Sequence, residues 1–229
     1  MGFELNEIPF LLKEIIKHKI NIIGVWSHLS SANEPNSNYT NIQIEKFKSI
    51  LSLFLNNGVN PKYKHIANSS GILFHPKSYF NAVRPGISLY GISPDNEINH
   101  NLKPVMKFKI PLIKMKLVDK NYSIGYNNSY ITSTSEEIGI FQGGYADGIP
   151  TIFNNNGNLE INGKLLPIRG KISMDMFVCD ISNQKLKLGD YATLWGSESL
   201  KLEDLSKIYN KISYEFLVNL SDRVERVYL

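Results

Sequence analysis

His65–Gly91 reads HIANSSGILFHPKSYFNAVRPGISLYG, and the fold turns on how this stretch is divided. Tyr63–Ala67 is short, partly apolar and bounded by Pro61 and Asn68, which predicts a buried strand. Asn68-Ser69-Ser70-Gly71 then breaks the run with small residues whose side chains and N–H groups can face one point. After a short helical or irregular connection, a second brief strand, Phe80–Val83, delivers Arg84, and Pro85-Gly86 turns the chain. Two neighbouring parallel strands, each ending in a loop rich in free N–H donors, make a cup for a phosphate dianion. In a (β/α) barrel that cup follows the seventh and eighth strands. Arg84 adds a planar donor that stays charged in a protein, and the chain has only four arginines.

Upstream, Asn6 is placed to cap a helix with Ile8, Leu12, Ile15 and Ile16 at helical spacing. Ile20–Trp26 reads as a buried strand ending in Ser27-His28. Thr40 and Gln43 suggest a capping box for a second helix, with Ile44, Phe47, Leu51 and Phe54 on one face and Asn57-Gly58 as its stop. This alternation predicts a parallel α/β unit. A polar bridge, residues 95–101, separates it from short strand-like runs: Phe108–Val118, Glu137–Phe141, Leu159–Ile161, Leu165–Ile168, Met176–Ile181 and Tyr191–Trp195. Asn162-Gly163 is a preferred hairpin turn, and the pattern predicts an antiparallel barrel or sandwich interrupted by a single helix, Leu202–Tyr209. The expected domains are 1–97 and 98–229.

Composition narrows the function classes. At 229 residues and 42% hydrophobic, the chain can bury a substantial core. Its net charge of +4 is spread over scattered lysines, with no basic block to suit nucleic acid. A lone cysteine, Cys179 in an apolar run, predicts a buried structural thiol and suits a reducing cytoplasm. The first ten residues lack the basic start and apolar core of a signal peptide, and Asn6 breaks a myristoylation pattern. The apolar runs are too short for a membrane span. A soluble, cytoplasmic protein is expected. His18, His65, His75 and His100 show no metal-ligand spacing with His28, so no metal is expected.

HIANSSG followed by VRPGISLYG resembles the alanine racemases, which use pyridoxal phosphate (PLP) on a barrel followed by a β-rich domain. The spacing fits, and the similarity runs almost end to end. The resemblance implies the last strands of a (β/α)8 barrel, then an antiparallel β domain. It implies PLP binding by His28, beside the ring, and by Asn68, Ser69, Arg84, Gly86 and Ile87. Ser123-Ile124-Gly125-Tyr126 resembles the element whose tyrosine is one of two catalytic bases, with Asn127 where the family usually has glycine. Racemisation takes a proton from one face of the substrate and returns it to the other, so two bases are needed. Gly170-Lys171-Ile172-Ser173-Met174-Asp175 resembles a G-[RK]-x-x-M-D element whose methionine N–H approaches the substrate carboxylate. Gly143–Gly148 matches another signature, with Tyr145 and Asp147 shaping the entrance. Tyr214 corresponds to a tyrosine reaching the cofactor phosphate, and Glu225 stands where proline is common.

In the family the tyrosine base and the methionine come from the other subunit, so a head-to-tail homodimer is implied. An arginine facing the pyridine nitrogen protonates it poorly, leaving a weaker electron sink and fewer side reactions. The lysine that holds PLP, and a further arginine, belong to a segment the family places ahead of the part matched here; no lysine in this chain stands in a matching motif. A late gene start, a separate front chain and a decayed remnant each fit. The implied activity is interconversion of L- and D-alanine, supplying D-alanine for peptidoglycan, once the barrel is completed. An inactive remnant or PLP- or phosphate-binding dimerisation module, and a racemase for serine or another small amino acid, stay open as alternatives.

Overall fold

The computed structural model describes residues 2–97 and 101–229. The expected boundary at Ile98, and with it residues 98–100 of the polar bridge including His100, lie outside the described residues. Two compact units emerge: Met1–Leu89 with Ser93–Glu97, and Tyr90–Ile92 with Ile98–Leu229.

In the first unit, α1 (Ile8–Lys17) and α2 (Asn38–Asn56) flank a parallel strand pair, β1 (Gly24–Trp26) and β2 (Tyr63–His65). The register sets Trp26 opposite His65. Ile8, Leu12 and Ile15 of α1 pack with Phe54 of α2, and the next turns of α2 bury Ile44 and Phe47 against Leu29, Ala32 and Ile66. Burying a side chain such as Phe47 stabilises by roughly 1.5–3 kcal/mol. A short helix, α3 (Ser69–Phe74), follows β2.

The local structure departs from the sequence pattern at several points. Asn6 does not cap α1: Glu7 is the N-cap residue, makes no side-chain cap bond, and turns its carboxylate back to the N–H of Glu4. Ile16 is half exposed. Ser37, not Thr40, caps α2, with its Oγ accepting from Thr40 N at 3.3 Å. Gln43 makes no capping box; its amide reaches Ser30 N at 3.1 Å and His28 O at 3.4 Å. β1 and β2 each pair over only three residues; β1 is not buried, and in the expected Tyr63–Ala67 strand the burial falls on Ile66 and Ala67, just past the end of β2. Phe80–Val83 forms no strand. It runs beside β2 with Asn81 N on Lys64 O and Arg84 N on Ala67 O, while the Asn81 amide takes Lys64 N and Lys62 O, both at 2.7 Å. A side chain thus occupies the positions a ladder would use.

The second unit is a closed antiparallel barrel. Its strands are β3 (Phe108–Val118), β6 (Glu136–Gln142), β7 (Asn158–Ile161), β8 (Lys164–Arg169), β9 (Met176–Asp180) and β10 (Tyr191–Trp195), in the order β10-β3-β6-β9-β8-β7. A small hairpin, β4 (Ser123–Ile124) and β5 (Tyr130–Ile131), projects between β3 and β6 in sequence. Asn162 and Gly163, both at positive φ, make the tight turn from β7 to β8. Inward residues such as Leu112, Phe141, Leu159 and Phe177 are almost wholly buried. Cys179 joins them, and burial pushes its thiol well up, as suits a structural cysteine.

The expected single helix is two: α4 (Leu202–Tyr209) and α5 (Ser213–Val218). Six residues give too little periodicity to mark α5 in the sequence. Aromatic contacts seat both on the barrel. Phe153 meets Tyr209 at 4.8 Å and Phe216 at 6.0 Å between ring centroids, and Trp195 lies 5.8 Å from Phe216. No helix among the described residues is long and apolar enough to cross a membrane.

Candidate active site

The first unit gathers His28, Asn68, Ser69, Arg84, Gly86 and Ile87 at the C-terminal ends of β1 and β2. Asn68 extends out of β2 and caps α3, its Oδ1 accepting from Gly71 N at 2.9 Å. Its Nδ2 donates to Leu29 O at 3.2 Å and lies 3.4 Å from His28 Nε2. One amide therefore ties the β2 loop to the β1 loop.

Ser69 faces the turn after Arg84. Its Oγ accepts from Gly86 N at 2.8 Å and Ser88 N at 3.4 Å, and lies 3.2 Å from Ser88 Oγ. A Cβ at Gly86 would come 3.6 Å from that Oγ, an ordinary contact, so the approach itself does not require glycine. Ile87 is buried and anchors the turn beneath.

Arg84 is held from several sides. Nη2 donates to Ser27 O at 2.8 Å, Nη1 to His65 O at 3.2 Å, and Nη1 also meets His65 Nδ1. His28 Nδ1 lies 3.4 Å from Nη2, and the Trp26 ring lies 5.1 Å from the guanidinium carbon. Trp26 stacks on His65 at a 5° interplanar angle. Burial and then the adjacent Arg84 charge lower the His65 pKa, while burial lowers that of Arg84. Ser88, Ser27, His65, Trp26 and Gln43 also line this cluster, and none of them carries a site motif of its own in the sequence. Ser88 follows the quoted PGI, and Trp26 and Ser27 directly precede His28, so proximity to the motifs was the available signal.

In the second unit, Tyr126 heads the turn between β4 and β5 and is 67% exposed. Gly125, Asn127 and Asn128 all take positive φ, so Asn127 adopts the left-handed conformation that glycine enters more easily. Ser129 in the same turn accepts through Oγ from Lys171 N at 3.0 Å, docking the hairpin on the Gly170–Asp175 segment. Met174, in that segment, is 55% exposed. Its backbone is gripped by the next signature: Tyr145 N bonds Ser173 O at 3.1 Å, Ala146 N bonds Met174 O at 3.0 Å, and Gly143 N bonds Asp175 O at 2.9 Å. Asp147 folds back to accept from Gly144 N at 2.8 Å and pairs with Arg223 at 3.3 Å. Tyr214 stands on α5, 40% exposed. Among the described residues no three His, Cys, Asp or Glu side chains gather to hold a metal ion.

An α/β unit with hydroxyls and amides knotted at its strand ends, together with a closed antiparallel barrel bearing a projecting phenol, defines a two-domain α/β-plus-β protein. The chain belongs to the alanine racemase family: the profile "Alanine racemase, N-terminal domain" matches residues 1–94 and "Alanine racemase, C-terminal domain" matches residues 105–228. It is 38% identical over 205 residues to an alanine racemase of Vesicomyosocius okutanii, covering 90% of this chain and 56% of that protein. Against an alanine racemase of Methanococcus maripaludis it is 34% identical over 238 residues, covering 100% and 64%. A solved alanine racemase from Streptomyces lavendulae superposes with TM-score 0.92 at 30% identity, over 100% of this chain and 63% of that one. One from Bartonella henselae, solved with covalently bound pyridoxal phosphate, gives 0.87 at 33%, over 100% and 63%. The chain thus spans 56–64% of the length of these relatives.

Proposed function

We propose that this chain forms the C-terminal portion of a PLP-dependent alanine racemase, with residues 1–97 supplying the last strands of a (β/α)8 barrel and residues 98–229 the β domain. It interconverts L- and D-alanine in the cytoplasm, supplying D-alanine for peptidoglycan, when a lysine-bearing barrel segment completes it and two copies pair.

The observation that carries this reading is the contact of Ser69 Oγ with Gly86 N and with Ser88 N and Oγ. Gly86 N, Ser88 N and Ser88 Oγ all donate to Ser69 Oγ there, a knot of hydroxyls and amides with no carboxylate in it, and such a charge-free polar turn suits a phosphate ester that would draw these donors from Ser69. The guanidinium of Arg84 suits an acceptor nitrogen. When bound, PLP supplies an electron sink that acidifies the substrate's α-proton. Ser69, Gly86 and Ile87 would hold the phosphate and Asn68 would fix their loop; the family resemblance gives the Tyr214 hydroxyl a phosphate contact as well. Arg84 would face the ring nitrogen and His28 would stand beside the ring. Tyr126, from the other copy, takes or returns a proton at its Oη. The Met174 N–H approaches the substrate carboxylate. The relatives' shared name and the Bartonella henselae protein's bound PLP support both substrate and cofactor.

The test is an assay of L-alanine to D-alanine conversion by this chain alone, and by the chain completed with a lysine-bearing barrel segment, each supplied with PLP. Conversion by the completed form is expected. A completed, folded protein that binds PLP yet leaves alanine unchanged would reject the assignment.

A further inference from the structure

We infer that Arg169 is a positioning residue for Tyr126, locking the hairpin that carries the phenol onto the strand end that leads to Met174. This rests on the reading of Tyr126 as a proton-transfer group.

Tyr126 projects from a turn with three left-handed residues and buries little of itself, so its placement depends on what holds the hairpin's base. The β4–β5 ladder has only two residue pairs, Ser123 with Ile131 and Ile124 with Tyr130, and a hairpin so short has little stability of its own. Tyr130 supplies an anchor. Its hydroxyl donates to Glu136 Oε1 of β6 at 2.7 Å, and the Arg169 guanidinium carbon lies 4.6 Å from its ring centre. Arg169 ends β8 and reaches two further strands, with Nη2 on Asp180 Oδ2 of β9 at 2.9 Å and Nε 3.5 Å from Glu136 Oε2.

Solvent reaches these groups poorly: the side chains of Glu136, Asp180 and Arg169 are 7%, 19% and 26% exposed. A guanidinium shared by two carboxylates and an aromatic face has one satisfactory orientation, so it transmits geometry instead of averaging it. Burial, and then the bond to Glu136, raise the Tyr130 phenol to about 12, keeping it a donor across the neutral range.

Arg169 also stands at the root of the Met174 segment. Gly170 follows it, and a Cβ on Gly125 would come within 3.1 Å of Gly170 Cα and 2.7 Å of Lys171 N. The Ser129 bond to Lys171 and the donation of Asn155 Nδ2 to Ser129 O, at 2.8 Å, close the same junction. One cation thus ties the base of the Tyr126 hairpin to the start of the loop that presents Met174.

The experiment pairs amide hydrogen exchange on the 229-residue chain with kinetics of the completed holoenzyme, using Arg169→Leu, Arg169→Lys, Tyr130→Phe and Tyr126→Phe. Loss of charged, partly buried hydrogen bonds in Arg169→Leu is expected to speed exchange at residues 123–131 about tenfold or more, leaving the β3–β6 ladder near wild type. Displacing the phenol is expected to lower kcat about tenfold while KM stays within about twofold. Arg169→Lys recovers part of both losses. Tyr130→Phe keeps the ring, folds more safely and shows the same local exchange effect at smaller size. Unchanged hairpin exchange in Arg169→Leu and Tyr130→Phe, or an increase spread evenly over the barrel, would overturn the inference. Tyr126→Phe separates the two readings: it should leave hairpin exchange alone and abolish turnover. Retained turnover there defeats the proton-transfer role, and with it the positioning role.

Discussion

Arg84 meets His65 through the imidazole Nδ1, a position that accepts a hydrogen bond only while the ring is neutral. Burial, and after it the guanidinium's charge, hold the His65 pKa below its ordinary value. The neutral ring fits the fold, so its contribution is present above the unfolded histidine value of about 6.5 and is lost as pH falls through the lower folded value. Thermal unfolding of the first unit followed from pH 8 to 5 should show declining stability, and His65→Gln should flatten the decline. An unchanged pH profile in that variant would contradict the coupling.

Asn68→Ala removes the α3 cap and both ties to the β1 loop. Loss of an N-cap costs about 1 kcal/mol, and the severed bond to Leu29 O adds to it. A drop in chemical denaturation midpoint is expected. So is a change in the NMR signal of the His28 ring, which loses the amide beside its Nε2.

Gly144→Ala should be among the costlier single changes in the β unit. A Cβ there would lie 2.3 Å from the backbone of Met174 and from Ser173 O, where no flexible side chain can yield. Overpacking against backbone costs about 1–3 kcal/mol or more. Differential scanning calorimetry should register a lowered Tm, and amides 173–176 should exchange faster.

Arg84→Glu tests the reading of this arginine against the ring nitrogen. In the completed holoenzyme, a carboxylate there would stabilise a protonated ring nitrogen and strengthen the electron sink. Slower racemisation and a larger fraction of transamination are expected, scored by product analysis. Far-UV circular dichroism checks that the fold survives loss of the bonds to Ser27 and His65. Equal racemisation with an unchanged side-reaction fraction would remove Arg84 from this role.

Asp180 gives a prediction at the acid end. Burial raises its pKa, but the N–H and hydroxyl of Ser182 together with Arg169 outweigh that and hold it below the usual carboxylate range. The stability it contributes is present above the unfolded value of about 3.9 and fades as pH drops through the folded value. Asp180→Asn should weaken that acid dependence, measured by denaturation between pH 5 and 2.

Strands whose partners are set by alternation were legible in the sequence. Phe108–Val118 and Tyr191–Trp195 show the expected bounds, because barrel closure buries one face and leaves the other wet. The misses share a cause. Gln43 satisfies a local capping pattern, yet a bond to a loop thirteen residues away wins. Phe80–Val83 has strand-like residues, but Asn81 takes over the ladder positions. The motifs marked Ser69 and Gly86, and not that Ser88 joins them, since a serine in a turn carries no signal of its own. Arg169 gave no sign at all: its partners are 33 residues before it and 11 after it in sequence, and only the strand order brings them together.

The placement of the two tryptophans gives the protein a built-in optical assay. Trp26 is 59% exposed and lies against a cation and an imidazole, whereas Trp195 is fully enclosed among aromatic rings. Iodide should quench the first emitter and spare the second. A dissolved quencher can therefore report which half of the chain melts first, with no label attached.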